Sequence, residues 1–227
     1  RVGGTPLNRW KAAAERKATE EIIENPSISQ LINASKFSGR NKNGLGIGVF
    51  NGISANQYAT LRDTLTGETR RVETAPLSNY NVVVFDQNLE NNSSVTFTNT
   101  NVWRSGETYD ANLSALNFNL NNKKNTFFLD GNVALSQKYS SLGNDFGHEW
   151  GIWGGKQRGN FTYDIGYFEQ SDNYDPNDLG FLFNSNKRVL SNTLAYRIYK
   201  PFWKLNSFRA SLSNNYERLY APNRFTS

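Results

Sequence analysis

The stretch NTFFLDGNVALS, residues 125–136, decides the fold. Read as a strand, it puts Phe127, Leu129, Gly131, Val133 and Leu135 on one side. Phe128, Asp130, Asn132, Ala134 and Ser136 fall on the other. One face is apolar and the other mostly polar, so the fold depends on what each face meets.

The pattern recurs along the chain. From about Leu31 onward the sequence reads as strands of roughly 9–12 residues. Phe161, Tyr163, Ile165 and Tyr167 oppose Thr162, Asp164 and Gly166. Leu190, Leu194, Tyr196 and Ile198 oppose Ser191, Thr193 and Arg197. Phe208, Ala210, Leu212 and Tyr216 oppose Arg209, Ser211, Ser213 and Glu217. Leu45, Ile47, Val49 and Ile53 oppose Gly46, Gly48 and Gly52. Residues 109–120 change phase near Ala115 and Leu116, which predicts a bulge. Residues 80–85 are apolar on both faces. Tight polar turns are expected at 41–44, 90–93, 121–125, 156–160 and 200–204. Generally longer links are expected at 56–79, 105–108, 138–147 and 171–187. Short turns at one end and longer loops at the other describe an up-and-down antiparallel meander.

The first segment differs. Residues 8–24, NRWKAAAERKATEEIIE, are rich in helix formers, with Asn8 as N-cap and Asn25-Pro26 as stop. Trp10, Ala13, Ala14, Ile22 and Ile23 give a modest apolar stripe, which predicts a helix packed on its own domain. The expected division is a helical external loop over 1–28 and a β-barrel section over 29–227.

Composition narrows the classes. The chain has 227 residues and a net charge of +5. A pI near 9.3 is too mildly basic by itself to indicate a nucleic-acid binder. Mean hydropathy is −0.65, and no apolar run approaches the ~20 residues of a membrane-spanning helix. A transmembrane barrel stays open, because only alternate residues of its strands must be apolar. The absence of cysteine removes disulfides, thiolate metal sites and cysteine nucleophiles. With no methionine and an opening at Arg1, the chain reads as a piece of a longer protein.

A soluble barrel buries its apolar face inside, whereas a membrane barrel turns it to lipid and keeps a polar lumen. Aromatic placement favours the second. Tyr80, Trp103, Tyr109, Tyr139, Trp150, Tyr167, Tyr216 and Tyr220 sit next to the longer loops. Phe118, Phe127, Phe161, Tyr199, Phe202 and Trp203 sit next to the short turns. Two bands of rings at two levels suit two membrane interfaces. With short turns in the periplasm, both ends of the strand series lie outside, which is expected of an internal section of a larger barrel.

Three blocks are similar to a known family: INASKFSGRNKNGLGIGVFNGISA (32–55), RRVETAPLSNYNVVVFDQNL (70–89) and YDANLSALNFNLNNKKNTFFLDG (109–131). They resemble uncharacterised outer-membrane proteins of Bacteroidota. In these, a carbohydrate-binding-like β-sandwich, of the kind called family nine, precedes a large barrel domain of unknown function. The opening RVGGTP resembles the family's Arg-(Ile/Val)-Gly segment after an early barrel strand. The resemblance covers residues 1–136 and afterwards rests on the strand pattern. It implies a barrel and supplies no catalytic residues. The sandwich domain is absent from these residues, so the resemblance assigns them no sugar-binding role.

Little catalytic chemistry is visible. His148 is the only histidine. A zincin needs a second one at helical spacing. Asp145, His148 and Glu149 are weak candidates for a metal or acid/base group at the outer rim, with Ser140 and Ser141 nearby in sequence. The bland reading is a polar rim. Asp172, Asp175 and Asp178 make residues 171–180 oxygen-rich, as a calcium loop would be, yet Tyr174 and Pro176 occupy positions that an EF-hand gives to ligands. Gly44, Gly46 and Gly48 alternate with Leu45 and Ile47 inside a strand, which a dinucleotide loop does not. The glycines make room on the lumen side. Arg40, Lys42, Lys123, Lys124, Lys156, Arg158, Lys200 and Lys204 lie in the short turns, beside inner-leaflet phosphates on the membrane reading.

The expected fold class is therefore all-β: a transmembrane antiparallel up-and-down β-barrel of about ten visible strands. Lumen-facing polar candidates are Asp130, Asn132, Asp164, Arg197, Arg209 and Glu217. No cofactor, metal or nucleic acid is expected. The expected partners are outer-membrane lipid, lipopolysaccharide and other outer-membrane proteins in a complex. The expected location is the Gram-negative outer membrane, with a non-enzymatic transport, anchoring or assembly role. Two alternatives remain: a hydrolase at the external rim near His148, and a soluble ligand-binding β-barrel.

Overall fold

The computed structural model describes residues 4–201 and 203–226. Arg1, Val2, Gly3 and Phe202, used above for the opening motif and one aromatic band, lie outside the described residues. The elements run α1 (Lys11–Ala14), β1 (Glu20–Glu24), β2 (Leu31–Arg40), β3 (Leu45–Ser54), β4 (Gln57–Asp63), β5 (Thr69–Ala75), β6 (Ser78–Leu89), β7 (Ser93–Arg104), β8 (Asp110–Asn121), β9 (Phe127–Ser140), β10 (Gly143–Lys156), β11 (Phe161–Gln170), β12 (Lys187–Ile198) and β13 (Phe208–Arg218). They form two antiparallel sheets. The larger has ten strands in the order β13-β12-β11-β10-β9-β8-β7-β6-β3-β2, and the smaller has the order β1-β4-β5. Among the described residues β2 and β13 do not pair, so the large sheet is an open meander rather than a closed barrel.

The short turns are built by asparagine. Asn41 Oδ1 accepts the N–H groups of Asn43 (2.9 Å) and Leu45 (3.0 Å) between β2 and β3. Asn122 Oδ1 accepts those of Thr126 (2.7 Å) and Phe127 (3.1 Å) between β8 and β9. Such side chains replace a backbone turn bond and leave the strands in register.

Four expectations are corrected. The helix over 8–24 shrinks to the four residues of α1, and Glu20–Glu24 is a strand. Tertiary pairing overrides helix propensity here. The link 56–79 folds into the β4–β5 hairpin, and β1 adds to it through Glu20↔Asp63, Glu21↔Arg62 and Ile22↔Leu61. Ala12 then packs with Ala59, Leu61 and Val72, and Ile22 leans on the cluster. The bulge in β8 is also absent: its ladders to β7 and β9 run without a register shift. The apolar residues change face while the backbone stays regular. Finally, the long link 138–147 is a tight hairpin, because β9 continues to Ser140 and β10 starts at Gly143.

Residues opposite each other in an antiparallel ladder share a face. The pairings therefore sort the large sheet into two faces. Face one carries Phe37, Ile47, Val49, Phe85, Phe97, Leu116, Leu129, Val133, Leu135, Ile152, Ile165, Leu190, Leu194 and Leu212, each more than a third exposed. Face two carries Thr96, Thr98 and Thr100 of β7, Asn117 and Asn119 of β8, the glycines of β3, and Gly143, Gly147, Gly151 and Gly155 of β10. Trp153 lies across this face and occupies the space above Gly166, where a Cβ would fall 1.8 Å from its Cδ1.

Candidate functional site

Face two is covered at its loop end by the segment 171–186, the longest link in which no strand forms. Its ends are tied by backbone: Ser171 N–H donates to His148 O (2.9 Å) and Asn186 N–H to Ser171 O (3.2 Å). Its middle lies on the sheet. A Cβ on Gly147 would fall 2.3 Å from both Cα and N of Tyr174, so glycine is what lets the two backbones meet. Val102, Ala111 and Ala134 are buried on this face, at 1 %, 7 % and 5 % exposure. Thr100, Val102, Ala111, Pro176 and Leu179 close one small gap between sheet and loop. This cover explains the phase change in β8: Ala111 and Leu113 are apolar where the loop lies over them, and Leu116 and Leu120 are apolar on the opposite face.

Four charges fasten the middle of the loop. Arg104 at the end of β7 pairs with Asp178, at side-chain exposures of 4 % and 11 %. Lys138 of β9 pairs with Asp175. Tyr109 Oη donates to Asp178 Oδ1 (3.1 Å), and Asp175 N–H donates to Ser136 Oγ (3.1 Å). The Tyr109 ring stands between the cations, 4.6 Å from Arg104 Cζ and 5.0 Å from Lys138 Nζ. Burial, aided by the Asp178 carboxylate, pushes the Tyr109 phenol above its ordinary range, so it stays protonated and donating. For Asp175 burial alone acts upward, but the bonds from Lys138 and Asn177 outweigh it and hold the carboxyl below the usual range. Tyr174, buried on the sheet, is pushed upward by desolvation and by Glu149.

Beside these pairs is a pocket of about 250 Å³ lined by Ser54, Ser78, Tyr80, Arg104, Lys138 and Asp175, among others. A larger cleft of about 770 Å³ shares Tyr109 and Lys138 with it and reaches Asp145, Glu73 and Lys11. Tyr80, expected in an outer aromatic band, points into the smaller pocket instead.

The polar candidates on the strands divide clearly. Ladder pairing puts Asp130, Asn132, Asp164, Arg197, Arg209 and Glu217 all on face two. They do not form one cluster. Asp130 bonds to Asn119, and Asn132 Nδ2 donates to Glu149 Oε1 (2.8 Å). Arg197 lies opposite Arg209, and Glu217 opposite Val189. The rim group is split by the strand's own alternation. Asp145 and Glu149 point to face two, whereas His148 points to face one and meets Glu169 at 3.4 Å. That carboxylate also accepts from Trp150 Nε1 (3.3 Å), Tyr167 Oη (2.8 Å) and Arg188 Nε (2.6 Å). Among the described residues no group of three or more His, Asp or Glu side chains could hold a metal. Of the oxygen-rich segment 171–180, Asp175 and Asp178 are turned to Lys138 and Arg104.

One feature of face one was not foreseen. Asn51 Nδ2 donates to Asn79 Oδ1 (2.6 Å) and Asn81 Oδ1 (2.8 Å). Asn99 Nδ2 donates to Asn112 Oδ1 (2.9 Å), and Asn112 Nδ2 to Gln137 Oε1 (2.8 Å). This amide row runs from β3 to β9 on the loop side of the apolar residues. The signal was available: asparagine recurs at alternate positions 79, 81, 99 and 101.

Fold and site together define an all-β protein built on an open antiparallel meander, with one face apolar and the other covered by its own loop. The chain belongs to the family described as a domain of unknown function (DUF5916), whose model matches residues 1–227. No curated protein and no solved structure matches it.

Proposed function

We propose that the ten-stranded sheet is part of the wall of a Gram-negative outer-membrane β-barrel, of the Bacteroidota type. Its role on this reading is non-enzymatic, in transport, anchoring or complex assembly. The observation that carries the reading is the exposed apolar face. On β9 the exposed residues Phe127, Leu129, Val133 and Leu135 extend about 26 Å at ~3.3 Å per residue, which suits the apolar band of such barrels. The opposite face is polar and is narrowed by its own loop, as a lumen would be. On this reading the amide row and the His148–Glu169–Arg188 cluster lie toward the outer headgroups. The edges of β2 and β13, open apart from the Arg218–Phe225 bridge at one end of β13, take further strands on this reading, because bare backbone groups are too costly in hydrocarbon. Outer-membrane lipid and lipopolysaccharide are then its surroundings, and other outer-membrane proteins its partners.

The test is behaviour of the full-length protein in detergent. A barrel gives heat-modifiable electrophoretic migration, needs detergent for solubility, and is recovered with outer membranes. A water-soluble protein with no heat-modifiable form would sink the proposal in favour of a ligand-binding sheet. The hydrolase alternative loses ground because His148 faces away from Asp145 and Glu149; on the reading proposed here, His148→Ala leaves function unchanged.

A further inference from the structure

We propose that Arg104, Tyr109 and Lys138 form an anion subsite, and that Asp175 and Asp178 of the loop 171–186 occupy it as a displaceable latch. The ligand class is a small carboxylate or phosphate. The subsite rests on the pocket geometry alone; its placement in a lumen rests on the barrel reading.

The charges are divided by element. Around the smaller pocket both cations, Arg104 and Lys138, belong to the sheet, and both carboxylates, Asp175 and Asp178, belong to the loop. Without the loop the wall is complementary to an anion. The cations are also preorganised by contacts independent of the loop. Arg104 Nη1 donates to Tyr109 O (2.8 Å), and Asp110 Oδ1 accepts the Arg104 N–H (2.7 Å). The Tyr109 ring contacts both cations. A guanidinium fixed this way presents a fork that matches a carboxylate or phosphate. The pocket of about 250 Å³ already reaches the subsite, and the cleft of about 770 Å³ that shares Tyr109 and Lys138 supplies an approach. The first volume falls below the range of drug-sized sites, which selects a small solute. Displacement exchanges one charge-assisted bond for another, so the loop is released without leaving a buried cation bare.

The experiment uses the full-length protein in detergent micelles. Ser136 is 3 % exposed and Val102 is 1 % exposed, and the loop covers both. The 227 residues hold no cysteine, so Ser136→Cys and Val102→Cys report opening through their rate of reaction with a charged maleimide. Inorganic phosphate, compared with chloride at equal ionic strength, should raise both rates several-fold. Asp175→Asn and Asp178→Asn, each added to the reporter, should raise them without phosphate. Asp172→Asn, in the same loop but off the sheet's cations, should not. Equal rates in phosphate and chloride would overturn the subsite. Unchanged rates in both Asp variants would overturn the latch. Variants are compared only where far-ultraviolet circular dichroism matches the parent. The thiol readout needs no pore, so absence of conductance or of heat-modifiable migration would count against the barrel reading and leave this result standing.

Discussion

Gly147 shows how much one missing methyl group decides. Its backbone faces that of Tyr174 so closely that a Cβ would fall 2.3 Å away. Gly147→Ala must therefore push the loop off β10. The expected outcome is faster proteolysis within 171–186, with the strand content by circular dichroism retained. Loop cleavage at the parental rate would mean that the two backbones do not meet. Val133 and Asn132 give a second test, of face rather than fit. Val133 is 50 % exposed on the apolar face, and Asn132 bonds Glu149 on the other. In a bilayer Val133→Arg should cost roughly 2–4 kcal/mol near the midplane, read from denaturant unfolding in vesicles. Asn132→Arg should be tolerated, since the new cation lies beside Glu149. Equal effects at both positions would remove the lipid-facing assignment. Both faces were legible in the sequence, because a period of two needs no knowledge of partners. The contact at Gly147 was not, because it depends on a loop some 25 residues further on whose path no local pattern encodes.

The small sheet is the element that the sequence misreports. Residues 8–24 have good helix formers, yet a helix there would leave the β4 edge bare and Glu20 without its partner. In the structure Arg70 donates to Glu20 through Nε (2.7 Å) and Nη2 (2.9 Å), and Lys17 N–H adds a third bond (2.8 Å). These bonds hold the Glu20 carboxyl at about 2, against an ordinary value of 4.5. A lowered carboxyl stabilises the fold fully above its unfolded value and loses that contribution as the pH falls. Amide exchange in β1 should therefore accelerate as the pH drops from 4.5 toward 2, after correction for intrinsic rates. Glu20→Gln should flatten that acceleration. If both proteins exchange alike across this window, the ion pair does not anchor β1. Leu61, fully buried in the same unit, tests the packing. Leu61→Ala should cost about 2–5 kcal/mol locally, visible as loss of protection in β4 with the large sheet unaffected. The hydrophobic spacing of residues 57–75 was present in the sequence, but a hairpin inside a long link leaves the third strand's origin open.

At the scale of the whole molecule the described sheet ends in two edge strands with no strand beyond them, apart from an Arg218–Phe225 bridge at one end of β13, and what covers the rest separates a free sheet from a wall. Each edge strand is long, with ten residues in β2 and eleven in β13, and exposed along most of its length. Long exposed edges recruit strands unless charge, proline or a bulge blunts them. Charge is thin here, with Lys36 and Arg40 on β2 and Arg209, Glu217 and Arg218 on β13. Neither strand contains proline, and β13 pairs with β12 without a shift. A proline scan along β13 of the full-length protein distinguishes the two states. The N–H groups of an edge strand alternate between its neighbour and the open side, and proline removes one donor at a time. If the outer side is free, every second substitution should be nearly neutral in thermal stability and heat-modifiable migration. If another strand pairs there, none should be neutral, because each position loses a ladder bond to one side or the other. The barrel reading requires the second result, and a two-residue period of tolerance across β13 would refute it.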